Sequence, residues 1–75
     1  MEHVKIVESG QRSFGQSNRH TIIFVVGGVS YLQAEEQNEV CTMEDLIFIK
    51  PGNRIKLEYR KNKYPLELYV LYVGA

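Results

Sequence analysis

Apolar side chains recur with a period of two almost everywhere along this chain, and no window of a dozen residues holds a 3.6-residue stripe. A period of two sends successive side chains to opposite faces of an extended backbone, so the apolar face can be buried only by pairing strands. The pattern predicts strands over residues 3–8, 19–26, 29–34, 39–42, 46–50, 54–60 and 66–73, each bounded by Gly, Pro, Asn or charged residues. Strands this short and this evenly spaced imply an all-β barrel or sandwich. Gly27-Gly28 reads as a tight hairpin turn, because both residues tolerate positive φ. Gln37-Asn38 and Asn62-Lys63 read as the turns of two further hairpins, and residues 10–18 as a longer loop.

The 75 residues suffice for one small domain, spanning 1–75, with no linker or repeat to divide it. A chain of this size buries only about 60% of its unfolded surface. With 44% hydrophobic residues it can still build a core, and disorder is not expected. Nine basic side chains balance nine acidic ones, so no net field attracts phosphate and direct nucleic-acid binding is not expected. Cys41 is the single cysteine, which excludes an internal disulfide and fits a reducing compartment. No basic-plus-apolar leader opens the chain and no apolar run approaches a membrane span, so a cytoplasmic location away from membranes is expected.

Two segments fix the packing. Within 54–60, Ile55, Leu57 and Tyr59 share one face while Arg54, Lys56, Glu58 and Arg60 share the other, predicting one buried and one wet side. Within 66–73 the alternation fails: Leu66, Leu68, Val70 and Tyr72 face one way, and Tyr69, Leu71 and Val73 the other. Both faces need cover. Loops or a second sheet could supply it, or the outer face could dock another subunit or further chain.

The stretch MEDLIFIKPGNRIKLEY, residues 43–59, resembles the second cupin motif as it occurs in the N-terminal domains of AraC/XylS-type transcription regulators. In that motif Asp45 and Leu46 open a strand that ends at Pro51-Gly52. Upstream, SFGQSNRHTIIFVVGGVSYL is similar to the first half of those domains, with Gly15 and Arg19 preceding an apolar strand, a glycine turn and a return strand. The closing LELYVLYV is similar to the aromatic-aliphatic strand that follows, so the likeness covers residues 15–73. It implies a cupin-like double-stranded β-helix, a jelly-roll barrel of about seven to eight short antiparallel strands.

Departures from the motif bear on chemistry. Glu44 stands where the family has a glycine, Lys50 where it has the first proline of the turn, and Ile55 where metal-binding cupins carry a histidine. The first motif of such cupins adds two histidines and a glutamate, and here the glutamate position is Thr21. His20 and His3 cannot complete a set of three or four donors, so neither a metal nor another cofactor is expected. No catalytic residues are expected either. Cys41 with His20 could pair as nucleophile and base, yet a lone cysteine in an apolar strand is more simply core. Glu35, Glu36, Glu39, Glu44 and Asp45 read as a solvated rim. Arg60, Lys61 and Lys63 beside Tyr59 and Tyr64 could suggest a nucleic-acid patch, but lysines at a hairpin tip more simply guard a sheet edge.

The resemblance also implies an interior. Thr21, Ile23, Val25, Ile55, Leu57 and Tyr59 would point inward and line an apolar space with hydroxyls at Thr21 and Tyr59, suited to a small organic ligand. The alternative is a small barrel filled by its own side chains. In the resembled family this domain senses an effector and dimerises, while a separate helix-turn-helix domain binds DNA. The chain is therefore read as an effector-sensing, homodimeric module that reaches DNA only through a domain outside it, with residues 1–18 as the segment expected to respond. A stand-alone metal-dependent cupin enzyme and a purely structural dimerisation module are the rivals.

Overall fold

A computed structural model describes residues 1–34 and 37–74. It contains eight strands and, among the described residues, no helix: β1 (Glu2–Ile6), β2 (Gly10–Phe14), β3 (His20–Gly27), β4 (Ser30–Gln33), β5 (Asn38–Cys41), β6 (Leu46–Ile49), β7 (Ile55–Tyr59) and β8 (Leu66–Val73). One sheet has the order β1-β8-β3-β6 and the other β2-β7-β4-β5, with every neighbouring pair antiparallel. All connections pass from one sheet to the other except β4–β5. This is the eight-stranded, double-sheet jelly-roll arrangement.

That topology corrects two of the three turn assignments. The Gly27-Gly28 turn joins β3 and β4, which lie in different sheets, so it is a corner and no hairpin. The second glycine answers a steric demand instead. Gly28 has φ +79°, and a Cβ there would meet the Pro65 carbonyl oxygen at 2.5 Å and the Leu66 Cα at 2.8 Å. Asn62-Lys63 likewise lies on a crossing, from β7 to β8. Among the described residues only β4 and β5 form a hairpin, the one expected near Gln37-Asn38, with Gln33 opposite Asn38 and two backbone hydrogen bonds between Ala34 and Gln37. Glu35 and Glu36, expected in the acidic rim, lie outside the described residues.

A further correction concerns residues 10–18. Five of them form β2, a polar edge strand that pairs with β7 along its length and buries only Phe14. Its strand state comes from its partner and not from its own alternation.

The core lies between the inner faces of the sheets. Val4, Ile23, Val25, Ile49, Leu66, Leu68 and Val70 come from one sheet, and Phe14, Cys41, Leu57 and Tyr59 from the other. The expected facing of 54–60 is present: Leu57 and Tyr59 are buried, Ile55 is half-buried against the core, and Arg54, Lys56 and Arg60 are exposed. In β8, Leu66, Leu68 and Val70 are fully buried, while Tyr69, Leu71 and Val73 remain on the exposed side. The second sheet thus covers one face of β8 and leaves the other open.

Candidate functional site

The site grows out of the turn between β6 and β7. Lys50-Pro51-Gly52-Asn53 forms a type II turn: Asn53 N–H donates to the Lys50 carbonyl over 3.1 Å, and Gly52 has the positive φ, +85°, that this turn requires. Gly52 N–H donates in turn to the Gln16 carbonyl over 2.8 Å, which fastens the turn to the β2–β3 connection. Held this way, the turn and the base of the β4–β5 hairpin flank an open groove of about 730 Å³. That volume falls within the roughly 300–1,000 Å³ usual for small-molecule sites. Phe48, Ile49 and Ile55 supply its apolar wall, and Lys50, Asn53, Arg54 and Gln37 its polar groups.

Thr21, Ile23 and Val25 point inward from β3 and are completely buried, and Leu57 and Tyr59 point inward from β7 and are nearly so. Of the six residues expected to line an interior space, Ile55 alone borders the groove. The Tyr59 hydroxyl donates to the Tyr64 carbonyl over 2.8 Å, so it is committed to the β7–β8 connection. Thr21 differs. Its hydroxyl is buried and has no hydrogen-bond partner among the described residues, and it sits opposite Ile49, a groove residue, in the β3–β6 register. Ser30 carries a second such hydroxyl, opposite Cys41 on the β4–β5 ladder, at a position that no sequence pattern marks.

The remaining polar groups are accounted for locally. No three His, Cys, Asp or Glu side chains among the described residues come together to hold a metal ion. His20 is exposed on β3, whereas Cys41 is buried on β5 of the other sheet, so the two do not form a pair. Burial, reinforced by the Asp45 and Glu39 carboxylates, raises the Cys41 pKa and keeps the thiol protonated. At the basic β7–β8 connection, Arg60 stacks over the Tyr31 ring at 4.1 Å, and Lys61 Nζ reaches Glu8 at 3.1 Å. Those two cations face their own chain. Among the described residues no helix is long and apolar enough to cross a membrane.

Before β6 lies a second tight turn, built on the departure at Glu44. Asp45 N–H donates to the Thr42 carbonyl over 3.1 Å, and Glu44 takes φ +79°, the left-handed conformation that favours glycine. The Asp45 carboxylate accepts from Thr42 N–H at 2.7 Å, and Glu44 N–H donates to the Val25 carbonyl at 2.8 Å. These bonds dock the turn on β3 and start β6 in register.

No family model matches the chain, and no curated protein matches it significantly. Among solved structures, the plu4264 protein from Photorhabdus luminescens superimposes with a TM-score of 0.77 at 14% sequence identity, over 96% of this chain. This chain spans 59% of that protein's length, and the likeness is one of fold.

Proposed function

We propose that this domain is a sensing module that binds a small organic acid in the end groove and carries out no chemistry of its own. One observation carries the reading: an apolar wall of Phe48, Ile49 and Ile55 meets the cationic side chains of Lys50 and Arg54 in a groove of small-molecule size. The apolar wall takes the body of the ligand, and the cations and the Asn53 amide take its carboxylate. Ile23, Val25, Leu57 and Tyr59 pack the interior, so the ligand sits at the open end and not in the middle.

The role matches that of the sensor domains of AraC/XylS-type regulators, in which ligand binding shifts the arrangement of an attached DNA-binding domain. Support comes from the motif at residues 43–59 and from the left-handed backbone at Glu44, where that family carries glycine. DNA contact in this reading belongs to a domain outside the chain.

Thermal unfolding with a panel of aromatic and aliphatic monocarboxylates tests the proposal. A ligand at a hundred times its dissociation constant adds about 2.7 kcal/mol of stability. At least one carboxylate is expected to raise Tm in the wild type and to lose most of that effect in Arg54→Glu. A panel without effect, or an Arg54→Glu response equal to the wild type, would defeat the reading. The completely buried β3 side chains favour a second reading, a purely structural module, which responds to no member of the panel. Near-stoichiometric iron, manganese or zinc in purified protein would instead point to a metal-dependent enzyme.

A further inference from the structure

The outer face of the β1-β8-β3-β6 sheet is apolar across three strands. The pairing register places Tyr69, Phe24 and Leu46 side by side in one row and Leu71, Ile22 and Phe48 in the next. Phe48 is 70% exposed and Leu46 54%, both on the edge strand β6, and Val73 extends the patch along β8. Next to them, Met1, Ile22, Phe24, Tyr69 and Leu71 enclose a shallow depression of about 190 Å³ with no polar lining. Charged groups stand at the border, where His3 and Glu67 pair at 2.6 Å.

We propose that this face is the interface of a two-fold homodimer. Aromatic side chains offer on the order of 150–250 Å² each, and at the observed exposures the patch presents roughly 600 Å² per copy. Two such patches bury about 1,200 Å², at the threshold of the ~1,200–2,000 Å² typical of stable protein interfaces. A second copy suits the face for two reasons beyond area. The chain carries no net charge, so two copies do not repel one another. The patch also holds both halves of a contact: a protruding Phe48 on β6 and, beside it, the depression over β3 and β8. A two-fold axis between them seats each Phe48 in the depression of the other copy, the reciprocal arrangement that an isologous interface requires. Stacked sheets pack about 10 Å apart, a spacing that such a pair of apolar faces can adopt.

Sedimentation velocity over a concentration series tests the interface, with far-UV circular dichroism as the check on folding. Wild type is expected to dimerise reversibly, and Phe48→Glu to raise the dissociation constant on the order of 100-fold or more, as the loss of a central anchor does. Lys56→Glu, on the outer face of the other sheet, is expected to leave it unchanged. If Phe48→Glu fails to fold, Leu46→Lys serves as the second probe with the same expectation. A wild type that stays monomeric up to ~1 mM, or a dimer indifferent to a folded variant of this patch, would overturn the proposal. Phe48 also borders the end groove, whereas Leu46 does not, so loss of the dimer in Leu46→Lys with the carboxylate response retained separates this interface from the groove.

Discussion

Glu44 holds a glycine's conformation without being one. A side chain at φ +79° costs on the order of 1 kcal/mol, and hydrogen bonds from its own N–H and from Asp45 hold the turn in place. Glu44→Gly is therefore expected to stabilise the fold by about 0.5–1 kcal/mol in urea denaturation, the gain being trimmed by the freer unfolded chain. A loss of stability would mean that the carboxylate contributes something the geometry does not reveal. Thr21 calls for the opposite kind of change. Its buried hydroxyl lacks a partner, so Thr21→Val removes a desolvated polar group at constant shape and is expected to raise stability by about 1 kcal/mol. Cys41 links stability to pH. Its folded pKa is raised, so the contribution is fully present below the ordinary thiol range, near about 8.5, and is lost as pH rises through the folded value. Cys41→Ala should flatten that alkaline decline relative to the wild type.

At the scale of elements, strands with their own alternation were legible, and strands made by their neighbours were not. β8 occupies the residues that its apolar pattern marks, Leu66–Val73, and β3, β4, β6 and β7 lie within the expected ranges to within a residue. β2 was not legible because Gly-Gln-Arg-Ser carries no apolar period, and its hydrogen bonds go to β7, more than forty positions along the chain. The turns misled for a related reason. Gly27-Gly28 has hairpin chemistry, but a glycine also serves where another segment comes close, and here that segment is Pro65-Leu66. Phe14 is the side chain that anchors β2 in the core. Phe14→Ala is expected to cost about 3–5 kcal/mol and to accelerate amide exchange in β2 and its partner β7 before β3 and β8. Uniform acceleration across both sheets would show that β2 is no separable edge.

For the whole molecule, the all-β class and the inward faces of β3 and β7 are legible in the sequence, and the groove is not. Thr21, Ile23, Val25, Leu57 and Tyr59 were legible as inward because burial follows the period of two. Lys50, Asn53 and Arg54 were passed over because they look like ordinary turn residues, and only the crossing of β6 to β7 between sheets brings them beside Gln37 and Ala34. The exposed side of β8 raised the question of cover. Its answer needed the β3 and β6 registers, which assemble one patch from three strands distant in sequence. The two surfaces meet at Phe48 but differ in kind: a groove with cations at one end of the sandwich, and a charge-poor face across one sheet.

The central claim, that a small organic acid binds at the end groove, is tested most directly by amide chemical-shift mapping of labelled protein titrated with benzoate and longer aryl carboxylates. The account expects saturable shifts clustered at Phe48, Ile49, Lys50, Asn53, Arg54 and Ile55, reaching Thr21 through the β3–β6 ladder. Shifts confined to Phe24, Tyr69 and Leu71 on the outer sheet face, or none at all, would contradict it.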